Sequence, residues 1–303
     1  MTASPAPGRE TDIGAFLRAR RAGVRPEEFG LPVLGRRRVP GLRREELAQL
    51  AGVSPDYYVR LEQGRSHHVS ESVLDAVARV LRLDGTEREH LINLARSAGA
   101  RSRPAGAPRQ RIRPGVRVLL DMMQTVPAFV LGRRLDVLAW NPLGDAVNGF
   151  STWPAGQRNV VWRTFLDPRA RTFYRQWNTV AAETVAFLRL DSGRHPGDPQ
   201  LTALVGELCV TSPEFARLWA AQQVKDKTSG AKLLHHSLVG DLDLAFETLT
   251  LPGEPDQMLV TYTAPPGSPA GERLQLLANW TVPGTLVAKS SAPSTGDGAD
   301  ASL

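Results

Sequence analysis

Apolar positions recur three and four residues apart through the first hundred residues, the period of helices with one buried face. A cap at Thr11 or Asp12 opens a helix to about residue 21, with Ile13, Phe16 and Leu17 on one side. Leu42, Leu47, Leu50 and Ala51 mark a second helix over 43–51, which Gly52 ends. Ser54 caps a third that runs to Gly64, with Pro55 at a first position where the missing N–H costs nothing. Ser70 caps a fourth, which reaches residue 81 and turns Val73, Leu74, Val77, Val80 and Leu81 inward. A fifth over 86–95 carries Leu91, Ile92 and Leu94. The pattern predicts an all-α domain, a five-helix bundle over 11–98.

Beyond residue 114 the pattern is mixed. Residues 116–124 suit a helix, and PAFVLGRR with LDVLAWN reads as a strand pair meeting at a tight connection near Arg134. A short helix over 141–147 follows, then helical periodicity over 167–190 with a bend near Trp177, and helices over 200–210 and 213–221. HHSLVGDLDLAFETLTL and DQMLVTYTAP alternate like antiparallel strands, and Ser268 caps a last helix to Trp280. Strands, helices and strands again predict an α+β domain over 115–282, with one antiparallel sheet covered on one face. Residues 99–114 hold three Pro, two Gly and five Arg, a basic Pro-rich linker. The ends, 1–10 and 283–303, have the composition of disordered segments.

The stretch GLRREELAQLAGVSPDYYVRLEQG, 41–64, places two short helices about a Gly-containing turn, which predicts a helix-turn-helix whose second helix enters the major groove of double-stranded DNA. Tyr58 and Leu61 join Val53 on its buried side. Pro55, Asp56, Tyr57, Val59 and Arg60 are left outward as candidates to touch bases. A generic pair of core helices shares such caps, but a merely solvated face has little use for exposed Tyr57 and Val59. The long connection before this unit contains Arg36, Arg37 and Arg38 between Gly and Pro, an exposed loop suited to phosphates, or else a solvated charge cluster. Arg43, Arg44, Arg65 and His67 are further phosphate candidates. Charge changes the picture in the same direction: residues 1–114 carry 21 Arg and no Lys against 13 Asp and Glu, whereas the remainder carries 16 basic against 18 acidic residues.

Other chemistry is sparse. Cys209 is the single cysteine, so there is no intrachain disulfide, and its apolar helical setting predicts a buried structural thiol. Vicinal His67 and His68 have no third ligand at motif spacing, so no metal is expected. His195 beside Asp198 in GRHPGDP lacks a nucleophile at a usable spacing and reads as turn chemistry. No dinucleotide fingerprint, phosphate loop, zinc-protease or nucleophile-elbow motif occurs, and the chain is expected to be no enzyme and to carry no cofactor. No apolar run reaches membrane-spanning length and no signal core opens the chain, so the expectation is a cytoplasmic protein with no membrane partner.

Aromatic residues concentrate in the second domain. Trp140, Trp162, Phe165, Trp177, Phe187, Trp219, Phe246 and Tyr262 are expected to line a mainly apolar pocket, with Arg163 or His236 as its polar anchor. A small apolar effector is the expected ligand. The alternatives are a second domain that serves only as a dimerisation or partner-binding scaffold, or a DNA-tethered enzyme. One module of this kind buries little DNA, so a homodimer is expected.

The runs EELA, AGVS and LEQG, at Glu45, Ala51 and Leu61 onward, resemble the XRE-type, lambda-repressor-like helix-turn-helix family. PAFVLGRRLDVLAWNP, RNVVWRTFLDPRAR and GRHPGDPQLTALVGELCVTSPEFARLW resemble the ligand-binding domain of MmyB-like transcription regulators, which implies a PAS-like fold and a lipophilic effector. The same likeness implies phosphate grip by Arg36, Arg37, Arg38, Arg43 and Arg44, and an outward place for Arg60. Two positions depart from that pattern: Gln222 stands where a His follows the Trp, and Ser237 stands where a Pro follows His236. These departures imply an effector different from the family's usual one.

Overall fold

Local sequence chemistry sets the helix ends of the N-terminal bundle. The computed structural model describes residues 12–31, 41–66, 69–99, 110–226 and 228–281. Its first five helices are α1 (Asp12–Gly23), α2 (Arg44–Ala51), α3 (Pro55–Glu62), α4 (Glu71–Val80) and α5 (Gly85–Gly99). Gly52 closes α2 at φ 69°, a left-handed conformation that glycine adopts without a side-chain clash. Ser54 Oγ accepts from the Tyr57 N–H at 3.2 Å to open α3, and Ser70 Oγ accepts from Val73 at 3.4 Å to open α4. At the head of α5 the Asp84 and Glu87 side chains each accept the other's backbone N–H, a capping box. Phe16, Leu17, Leu42, Leu47, Tyr58, Leu61, Val77 and Leu91 form the interior.

The second domain runs α6 (Pro114–Met122), β1 (Ala128–Leu131), β2 (Val137–Trp140), α7 (Pro142–Asn148), α8 (Val160–Leu166), α9 (Ala170–Phe173), α10 (Trp177–Arg194), α11 (Pro199–Thr211), α12 (Pro213–Ala220), β3 (Ser229–His236), β4 (Gly240–Leu251), β5 (Glu254–Thr263) and α13 (Pro269–Thr281). The five strands form one antiparallel sheet in the order β2-β1-β5-β4-β3. Alternate residues serve opposite faces. Phe129, Leu131, Leu242, Leu244, Phe246, Val260 and Tyr262 meet the helices α7 to α13 on one side. Ala128, Val130, Ala139 and Leu259 meet Val116 and Leu120 of α6 on the other.

Several details differ from the sequence reading. The sheet is covered on both faces where α6 lies, and the unbroken apolar run of β1, buried at all four positions, is the local sign of it. β3 starts at Ser229, ahead of the alternating run, and pairs with β4 through a hairpin from His236 to Gly240. Residues 160–166 form α8, opened by Asn159, whose Oδ1 accepts from Trp162 N at 3.0 Å. The helix read over 167–190 is broken: Tyr174 bridges Leu234 and Arg175 N donates to Leu233 O at 3.0 Å, so this backbone serves the sheet edge before α10 begins at Trp177. Arg133 N donates to Gln110 Oε1 at 2.8 Å, and Gln257 Nε2 donates to Arg111 O at 3.1 Å, so the end of the expected linker is already stitched to the sheet. The disorder expected for 1–10 and 283–303, and most of the linker, lie outside the described residues.

The two domains touch directly. Leu190 of α10 and Val224 lie in the hydrophobic interior of the N-terminal bundle, and α5 packs along α10. Arg20 Nη2 of α1 donates to Gln222 O at 3.0 Å.

Candidate functional site

The turn between α2 and α3 leaves one face of α3 uncovered. Pro55, Asp56 and Arg60 are exposed and Tyr57 and Val59 are half-buried, while Tyr58, Leu61 and Glu62 point inward. Arg43 and Arg65 flank this face and are also exposed. Arg36, Arg37, Arg38 and His67, expected on phosphates, lie outside the described residues.

Arg44 has a different setting from its neighbours. Its Nη2 lies 3.1 Å from Oε1 of Glu62, a carboxylate only 1% exposed, and Arg21 and Arg18 approach the same oxygen at 3.2 and 3.7 Å. Arg21 also donates to Leu42 O at 2.8 Å, which ties α1, α2 and α3 together. The hydrogen bond to Glu62 and its charge raise the Arg44 pKa, and burial raises that of the Tyr58 hydroxyl packed beside the cluster. In the sequence Glu62 stands out only as part of LEQG. A charged residue on the buried stripe of Tyr58 and Leu61 was the available signal.

In the second domain two cavities adjoin at Thr152, Arg163 and Arg169. One, of about 410 Å³, is walled by Trp153, Pro154, Trp162, Leu166 and Pro168. The other, of about 470 Å³, lies among Val147, Asn148, Thr172, Phe173 and His236. Arg163 is buried, pairs with Asp167, and stands 5.0 Å from the centre of the Trp153 ring. Burial lowers its pKa against the opposing pull of Asp167. Arg169 reaches Asp167 Oδ2 at 3.1 Å. Burial pushes the Asp167 carboxyl up, but hydrogen bonds from Arg169 and the charges of both guanidiniums outweigh it and hold the pKa low. Two guanidiniums, one buried and one exposed, thus share one carboxylate where the cavities meet, leaving a net positive charge beside the apolar wall of the first cavity. His236 Nε2 donates to Ala146 O at 2.9 Å and its Nδ1 accepts from Leu238 N at 3.3 Å, so both nitrogens are engaged.

The expected pocket aromatics divide. Trp162 lines the first cavity, and its Nε1 donates to Glu207 at 3.4 Å. Phe165, Trp177 and Trp219 pack instead with Phe215 in a chain of ring contacts. Half-buried Trp140 meets Phe150 at a tilt against the core, while Tyr262 meets Phe129 and Phe246 lies under Lys232 within it. Phe187 lines a third cavity, about 380 Å³ and polar, at the junction with α5. Arg169, Asp167, Trp153 and Phe173 were not singled out from sequence, although the first two stand together in LDPR. Cys209 is half-buried rather than enclosed, and burial raises its pKa. His195 and Asp198 do not pair: Asp198 binds Arg134 at 2.7 Å and caps α11, whereas His195 Nε2 lies 2.9 Å from Asp256. Gln222 sits at the domain junction, not in the two adjoining cavities.

Among the described residues no group of three or more His, Cys, Asp and Glu is placed to hold a metal ion, and no helix is long and apolar enough to cross a membrane. No curated protein matches the chain. Residues 12–91 match a helix-turn-helix domain, and residues 112–277 match the MmyB-like transcription regulator ligand binding domain. With more than half its length in that match and a helix-turn-helix ahead of it, the chain belongs to the MmyB-like transcription regulators and is a DNA-binding transcription regulator.

Proposed function

We propose that the regulator reads double-stranded DNA through the outward face of α3 and answers a small amphipathic anion held where the two cavities meet. Pro55, Asp56, Tyr57, Val59 and Arg60 are the base-reading candidates, and exposed Arg43 and Arg65 are the phosphate candidates beside them. The observation that carries the effector reading is the pairing of apolar walls with the Arg163–Asp167–Arg169 cluster at their junction. An apolar body fills such walls, and a carboxylate on it meets the guanidinium charge that Asp167 leaves uncompensated. Of the two polar anchors expected from sequence, Arg163 and His236, this reading favours Arg163, since both nitrogens of His236 are engaged.

The test is a titration of the purified chain with dodecanoate and, separately, with dodecanol, followed by tryptophan fluorescence from Trp153 and Trp162. Dodecanoate should bind about tenfold or more tightly than the alcohol, the worth of one charge-assisted hydrogen bond. Arg169→Gln should narrow that gap. Equal binding of both compounds would remove the anionic requirement, and binding of neither would favour the scaffold reading of the domain.

A further inference from the structure

A single continuous helix, α10, runs from the wall of the adjoining cavities to α5 of the N-terminal bundle. α10 is 18 residues long, which spans about 27 Å. At its first residue, Trp177 Nε1 donates to Thr164 O of α8 at 2.9 Å, and the Trp177 ring meets Phe165 edge to face at 5.8 Å. Thr164 and Phe165 follow Arg163 directly, so the N-terminus of α10 is fixed to the wall that carries the cavity's charge. At the other end Leu190 has no exposure and lies in the core of the DNA-binding bundle. Arg194 reaches Glu89 of α5 at 3.4 Å.

Contact at that end is unusually close. His90 of α5 is fully buried, edge to face with Phe16 of α1 at 5.1 Å, and neither ring nitrogen has a hydrogen-bond partner. A Cβ on Gly193 would overlap the His90 ring at Nδ1, so only glycine lets α10 come this near. Beside this contact lies the junction cavity, lined by Glu89, Arg194, His195 and Asp256. The joint is tight at one point and has room to shift around it.

We propose that α10 carries the state of the effector cavity to the DNA-reading helices, with the His90–Gly193 contact as its joint; the proposal rests on the cavity being the effector site. A ligand that draws Arg163 toward itself displaces α8, and α8 moves the start of α10. A close-packed interior passes such a shift along instead of absorbing it, so α5 moves with the far end. α5 packs against α1, and α1 holds α3 through Arg21 and Glu62.

Two measurements on the full chain test this. In the absence of any ligand, calorimetric unfolding should show both domains melting in one transition, and Gly193→Ala should split it in two. Separate transitions already in the wild type would overturn the coupling, whatever binds in the cavity. Next, affinity for a duplex selected from a randomised pool is measured with and without dodecanoate. The wild type should change affinity by about fivefold or more, the low end of ordinary coupling energies. Gly193→Ala should bind dodecanoate and the duplex as before yet lose that change, and Gly193→Ala with His90→Ala, which removes the ring the new Cβ meets, should regain part of it. A full response in Gly193→Ala would overturn the proposal. Failure of dodecanoate to bind the wild type would sink the effector reading alone, leaving the unfolding experiment to decide the joint.

Discussion

Arg44 is exposed like Arg43 and Arg65 but gives its Nε and Nη2 to buried Glu62, so only the rest of its fork is open to a phosphate. Glu62 is almost without solvent and pairs with buried Arg21 as well as with the more exposed Arg18 and Arg44, so removing it leaves the Arg21 charge buried without its carboxylate. Glu62→Ala should cost about 3–5 kcal/mol of bundle stability, measured by urea unfolding. A loss below about 1 kcal/mol, the worth of a surface pair, would show the cluster to be solvated. Arg60 is exposed, and among the described residues no carboxylate holds it in the way that Glu62 holds Arg44. Arg60→Ala should leave stability alone and lose about 1–3 kcal/mol of binding at one operator position, as a bidentate contact to guanine would. Selection from randomised duplexes reads this directly, and an unchanged sequence preference would remove Arg60 from base reading.

At the scale of elements, sequence spoke most clearly where caps and period coincide. Ser54, Pro55 and Gly52 fix α3 and its turn from local chemistry alone, and the alternation of 242, 244 and 246 fixes the buried face of β4. It was silent where tertiary contacts decide. The gap between α9 and α10 exists because residues 174–175 hydrogen-bond to β3, and α6 covers a second sheet face that a short apolar strand only hints at. The cavity wall was likewise half legible: Arg163 and Trp162 could be picked by chemistry, but which aromatics line space and which fill it depends on packing between distant segments. His90 shows the same limit and gives a pH prediction. It faces Phe16 and Arg20 of α1 and Arg189, Gly193 and Arg194 of α10; burial, then the charges of Arg189, Arg20 and Arg194, lowers its pKa to about 3 from 6.5. The folded protein therefore refuses a proton that the unfolded chain accepts. The stability from neutral His90 is fully present above about pH 6.5 and drains as pH falls toward about 3, by roughly 1.4 kcal/mol per pH unit at the steepest. His90→Leu should remove that part of the slope in urea unfolding followed from neutral to acid pH. An identical slope in the variant would mean that the ring already titrates freely in the folded state.

For the whole molecule, the docking of α5 on α10 and of Arg20 on Gln222 uses faces of the bundle other than the reading face of α3, which stays open in the arrangement described. If that face reads DNA as proposed, a ligand can act by shifting how two such helices are spaced. Spacing has meaning only between two of them. One bundle presents a single α3 and a few arginines, and such a module buries too little DNA for a tight, specific complex at physiological salt. Two copies reading half-sites about 34 Å apart, one helical turn, supply the missing contacts, and they turn a small rotation at the His90–Gly193 joint into a mismatch of register along the duplex. The regulator should thus bind its operator as a homodimer over a two-fold symmetric site. Sedimentation of the protein with a selected duplex gives the number of chains, and hydroxyl-radical footprinting gives the spacing. Two chains protecting paired half-sites on one face of the helix is the expected result; a single chain protecting one half-site at full affinity would defeat it, and would leave effector control to act on α3 within one bundle.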